Sequence, residues 1–234
     1  MQPKRLVLMV EGAADQSAVP VLAQKIITQL RGWDSLFIKE SDVFRVGNLS
    51  KIVSKQNEDC FLRFLKSAEK KPNLGAVLLL LDGDANSEQR FHTSKGVMSF
   101  CAKEMGTFLA LRAKEETGAG TVFSFTSIFA MQEFESWILA GNPKFAELLR
   151  RENERRHDNQ KINTEIAPRD VKGKIKELTG EIYREKLDQE RFTSGIDIDL
   201  MLRSEPCIRS FRRLYHAFEQ ILEAIRSGKH VATP

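Results

Sequence analysis

The stretch LLLLDGDAN, residues 78–86, ends an apolar run in two aspartates one residue apart, Asp82 and Asp84. On an extended strand, side chains two positions apart leave the backbone on the same side. Such a pair could share one cation or divide two neighbouring ones, and carboxylate oxygens suit hard ions such as Mg2+ or Mn2+. Gly83 between them is expected to leave room for a phosphate or a water. Other carboxylates follow similar runs: Glu11 succeeds RLVLMV, and Glu133 and Glu135 succeed TVFSFTSIFA. Glu11 is expected to bind metal or to move a proton to a leaving oxygen. Glu133 and Glu135 are expected to hold the second ion of a pair about 3.5–4 Å apart. Together these groups would activate water and neutralise charge on a phosphodiester. Each also has a plainer reading. Asp-Gly is common in turns, and Glu11, Asp15, Glu133 and Glu135 all stand where a helix N-terminus favours negative charge.

The elements needed to bring these residues together can be read from periodicity. Strands are predicted at 5–10, 42–46, 76–82 and 121–130, and the third is apolar enough to be buried on both faces. Between them, apolar residues at three- and four-residue spacing predict helices at 14–31, 57–70 and from Phe91 to Arg112. EFESWILAG opens another helix. Strands alternating with helices predict a parallel sheet with right-handed crossovers, and ligands of such sheets bind beyond the carboxyl ends of the strands. Glu11, Asp82, Asp84, Glu133 and Glu135 all fall there. After Pro143 the chain becomes polar, with a helical segment interrupted near Gly180. A strongly apolar stripe through Ile208, Phe211, Leu214, Phe218, Ile221 and Ile225 then predicts a helix that needs a surface to cover it. The organisation expected is an α/β core over 1–142 and a helical extension over 143–234, packed on the core or on a partner.

Composition sets wider bounds. The chain has 234 residues, 41% of them hydrophobic, and a net charge of +4. That charge permits a nucleic-acid partner without arguing for one. No apolar run reaches the roughly 20 residues of a membrane span, and the N-terminus reads as a first strand rather than a signal peptide. Cys60, Cys101 and Cys207, like His92, His157, His216 and His230, show neither disulfide nor metal-ligand spacing. A soluble, cytoplasmic, reducing setting is expected. With no G-x-x-x-x-G-K-[ST] motif, ATP hydrolysis by this chain is not expected.

The order VEG, then LLLLDGD, then a further acidic pair resembles the Toprim fold, the metal-binding module of topoisomerases, bacterial primases and OLD-type nucleases. The resemblance implies a Rossmann-like, mainly parallel sheet, with catalytic Glu11, Asp82 and Asp84. More narrowly, VEGAAD, LLLLDGDAN, FAMQEFESWILA, YREKLDQERF and SFRRL resemble a bacterial Toprim-like family often encoded beside an SMC- or ABC-type ATPase in anti-phage loci. That likeness spans about residues 5–215. It implies a Mg2+- or Mn2+-dependent nuclease that is the effector of an ATPase partner; the substrate stays open among DNA, RNA and a nucleotide, and a homo-oligomer is compatible with it. It adds Glu133, Glu135, Lys186, Gln189, Ser210, Arg212 and Arg213 as site candidates. Asp15 stands where relatives commonly carry glutamate, which shortens its reach.

Lys172, Lys174 and Lys186 are expected on a solvated face, with contact between one of them and a substrate phosphate as the sharper role, and Lys174 and Lys186 as the named candidates. Arg212 and Arg213 have the same two readings, an internal salt bridge or a phosphate contact. A rival function is a non-catalytic sensor or partner subunit that binds metal or nucleotide. A HAD-like phosphatase is disfavoured because its nucleophilic aspartate follows an early strand, whereas here the motif comes third and Asn86 occupies the place of the expected Thr or Val.

Overall fold

In a computed structural model, residues 2–55, 58–84, 89–155, 163–166, 168–204 and 207–234 are described. The central strands are β1 (Lys4–Val10), β2 (Leu36–Phe37), β3 (Val43–Arg45), β4 (Leu74–Gly83), β7 (Ser124–Met131) and β8 (Ala232–Thr233). They form one sheet in the order β2-β1-β4-β7-β8, with β3 also paired to β1. Every pairing in it is parallel. The register sets Val10 beside Leu80 and Asp82 beside Ala130, so β1, β4 and β7 end at nearly the same level.

Strand period divides the sheet's side chains between two cores. Leu6, Leu8, Val10, Leu78, Leu80, Ile128 and Ala130 face one side. There they meet α1 (Asp15–Gln29), α5 (Glu135–Gly141) and α10 (Arg209–Ser227). Val7, Met9, Val77, Leu79, Leu81, Phe125 and Phe129 face the other side. Those pack with α3 (Glu58–Glu69) and α4 (Ala102–Glu116). Cover on both faces explains why β4 carries no polar alternation before Asp82. The α/β architecture is therefore as the sequence predicts: a mainly parallel sheet flanked by helices, followed by a helical C-terminal portion.

That portion contains α6 (Pro143–Arg155), α7 (Val171–Thr179), α8 (Glu185–Ser194), α9 (Ile198–Arg203) and α10. Asp170 caps α7, its side chain accepting from Gly173 N. Gly180 ends α7 at φ +70°, a left-handed conformation natural to glycine. The apolar stripe of α10 is covered by this chain's own sheet: Phe211, Leu214, Phe218, Ile221 and Ile225 lie in the core with Leu78 and Ile128. Beyond α10, β8 pairs with β7 at Phe125 and Thr126. No helix among the described residues is long and apolar enough to cross a membrane.

Two local expectations are corrected. The helix predicted from Phe91 begins only at Ala102. Residues before it form an antiparallel hairpin, β5 (Arg90–Thr93) and β6 (Gly96–Ser99). The Thr93 hydroxyl donates to Gly96 O across its turn, a local bond that favours the hairpin. Val97, counted toward a buried helical face, is 59% exposed. Gly83 is the second case. A Cβ there would lie 2.9 Å from the backbone oxygen of Ala130. Its glycine permits close approach of β7 rather than opening space for a ligand. His157 and Asn86 lie outside the described residues.

Candidate functional site

Glu11 lies just past β1, Asp82 at the end of β4 with Asp84 just beyond it, and Glu133 and Glu135 after β7. Asp82 continues the Leu78–Leu80 face and so points toward the helices α1, α5 and α8. Gln132, between β7 and Glu133, has φ +63°, an uncommon conformation for a residue with a side chain. This turn redirects the chain so that Glu133 and Glu135 return over the strand ends. Glu135 is 1% exposed.

Hydrogen bonds connect the acids to these ends. Glu11 Oε2 accepts from Asp82 N at 3.3 Å, and Asp82 Oδ1 accepts from Phe134 N at 2.9 Å. Asp15 Oδ2 accepts from Gly12 N at 2.7 Å, which is the helix-entry role expected for it. Its other oxygen, however, accepts from Gln189 Nε2 at 3.1 Å. Gln189 also reaches Glu135 Oε1 at 3.4 Å, where the Tyr183 hydroxyl donates at 2.9 Å. Asp15 is thus joined to the acidic group through α8.

One cation sits among these acids. Lys172 Nζ lies 2.7 Å from Glu185, 3.7 Å from Glu133 and 3.9 Å from Glu135. Burial raises Glu11 to about 7; Asp84 and Asp15 push the same way, against the Asp82 N–H and Lys172. Burial likewise raises Glu135 to about 7, although Lys172 and Tyr183 favour its charged form. Asp82 is held well above the carboxylate range by burial and then by Asp15, Glu135 and Glu11. Glu133 is raised by burial and by Asp84, against Lys172. Burial disfavours the Lys172 ammonium, but Glu135, the Glu185 bond and Glu133 together raise its pKa. The acids act as one electrostatic unit with too little positive charge.

The other candidates are placed elsewhere. Lys174 is held 2.5 Å from Glu152 and 3.0 Å from Glu177. Lys186 is exposed on α8. Arg212 donates to Leu202 O and Arg213 to Pro234 O. Among the described residues, none of these four pairs with the strand-end acids. Ser210 accepts from Trp137 Nε1 at 2.8 Å and, with its own N–H, binds Glu165, so it joins α5 to the start of α10. Among the described residues, Lys172 is the basic residue that pairs with acids of the site. Its sequence surroundings, VKGKIKE, give all three lysines the same appearance.

Among the described residues, no three His, Cys, Asp or Glu side chains form a group that could hold a metal ion as they stand. The acids are spread along hydrogen bonds to Asp82 N, Phe134 N, Gly12 N and Tyr183. The donor set nonetheless has the right chemistry for a hard divalent ion. It is all oxygen, it repels itself, and it contains a buried oxygen that has no partner among the described residues, Gln189 Oε1.

A family model described as a domain of unknown function, DUF4276, matches residues 10–219. The chain belongs to the DUF4276 family. The match spans all the strand-end acids together with Lys172 and Gln189, so the whole acidic group lies inside the DUF4276 region. No curated protein matches this DUF4276 chain. Among solved structures, the C-terminal region of the OLD protein of Xanthomonas campestris pv. campestris is similar at 16% identity. The alignment covers 96% of this chain and 97% of that one, with a TM-score of 0.36. Likeness at that level says nothing of activity.

Proposed function

We propose that this chain is a Toprim-like, Mg2+- or Mn2+-dependent phosphodiester hydrolase. The observation that carries the reading is the gathering of Glu11, Asp82, Asp84, Glu133 and Glu135 at the carboxyl ends of parallel strands, where, among the described residues, Lys172 is the cation paired with Glu133 and Glu135. Asp82, Asp84 and one of Glu133 or Glu135 would hold the ion. A bound divalent cation supplies charge neutralisation at a phosphodiester and makes water more acidic. Glu11, poised at about 7, suits transfer of a proton to or from a reacting oxygen. Lys172 would be released toward a substrate phosphate once the cation relieves the glutamates. The sequence resemblance alone supports the wider setting: an effector subunit gated by an SMC- or ABC-type ATPase in anti-phage defence, with DNA or RNA as substrate.

Calorimetry with Mg2+ and Mn2+ on wild type and Asp82→Ala/Asp84→Ala tests the site. Binding by wild type, lost in a folded double variant, supports the reading and is followed by cleavage assays on single- and double-stranded DNA and RNA. Equal behaviour of the two proteins removes its basis. A second reading, a non-catalytic metal- or nucleotide-binding sensor subunit, draws on the acids' open arrangement and the internal cation Lys172. Asp84→Ala separates the two: loss of biological activity with partner binding intact favours the enzyme.

A further inference from the structure

Gln189 is 3% exposed and lies on α8, far along the chain from the strand-end acids. Its amide nitrogen donates to Asp15 and Glu135, and its amide oxygen has no partner among the described residues. Buried polar atoms are nearly always hydrogen-bonded, and an orphaned acceptor costs about 1–3 kcal/mol. The groups touching its amide, Asp15 and Glu135, are acceptors when ionised and cannot satisfy another oxygen. What would satisfy it and be attracted by the same carboxylates is a cation. We propose that Gln189 Oε1 is a neutral oxygen ligand of the divalent ion bound between Asp15, Glu135 and the strand-end acids. The assignment rests on the metal-site reading above. It also gives α8 a purpose: this helix lies against α1 and completes from outside a site that the strands leave one-sided. A neutral donor adds coordination without adding to the repulsion among the carboxylates.

The test is Mn2+ calorimetry on the full chain at about pH 8, with folding checked by circular dichroism. Gln189→Leu removes the oxygen and is expected to weaken binding at least about tenfold. Gln189→Glu keeps an oxygen but loses both N–H donors, and is expected to bind at least as tightly as wild type. Should the leucine variant fail to fold, the glutamate variant decides alone. Weakened binding by Gln189→Glu would show that the N–H donors matter and overturn the assignment. Wild-type affinity in Gln189→Leu, with binding lost in Asp82→Ala, overturns the ligand role while the metal site stands. No binding by wild type overturns both.

Discussion

The two ends of the central sheet treat buried acids in opposite ways. At the amino end, Asp42 is wholly buried, and both its oxygens are met by Arg5 Nη1 at 2.7–2.8 Å. Lys71 stands 3.3 Å away, and Lys39 N donates at 3.2 Å. At the carboxyl end, Glu11, Glu133 and Glu135 share Lys172, and these three and Asp82 are driven toward their neutral forms. An acid kept for structure is neutralised within the fold. On the proposed reading, acids left short of positive charge would keep a place for a cation from outside, at some cost in stability.

The largest effect should come from the neutralised end. Asp42→Ala strands a buried guanidinium and is expected to cost about 3–5 kcal/mol in chemical denaturation. A loss below about 1 kcal/mol would mean that the pair is no better compensated than the acids opposite. The next test uses pH. Glu11 and Glu135 bind protons more tightly in the folded protein, near 7, than an ordinary glutamate does at 4.5. Their favourable contribution is complete below about 4.5 and is lost as pH rises through about 7. Melting temperature should therefore fall over that window, and Mg2+ should flatten the fall. A profile that Mg2+ leaves unchanged breaks the comparison.

Smaller effects sharpen it. Lys172→Met removes the internal cation and should destabilise by about 1–2 kcal/mol at neutral pH, with partial recovery in Mg2+. Asp82→Asn should have the opposite sign to Asp42→Ala, stabilising the metal-free protein by about 1 kcal/mol at about pH 8 while abolishing metal binding. Asp84 is exposed, and Asp84→Asn should move stability by less than about 0.5 kcal/mol while still weakening Mn2+ binding. Together, these last two variants separate charge that strains the fold from charge that serves a ligand.

Much of the architecture was legible because its signals are local. The apolar runs of β1, β4 and β7 each end near an acid, and parallel topology brings those ends together. The helix α10 was equally clear from its stripe, though not the identity of the surface covering it. The hairpin at 90–99 was missed because Phe91, Val97 and Phe100 fall at spacings that also suit a helix. The two-residue strands β2 and β8 are too short to carry periodicity and form only because β1 and β7 offer them an edge.

The sequence by itself determined which strands would be buried and that acids would cluster at their carboxyl ends, because side-chain alternation and chain direction follow from neighbouring residues. Only the tertiary structure decided which distant groups would join them. Lys172 and Gln189 come from helices after the sheet's main strands; Gln189 was marked only by the YREKLDQERF likeness, and Lys172 bears no local mark that distinguishes it from Lys174 or Lys186. Their selection depends on how α7 and α8 pack beside α5 and α1, a matter of long-range burial that one-dimensional spacing does not encode. Strand pairing gave Gly83 its reason: not the phosphate that its neighbours suggested, but the backbone of β7 beside it.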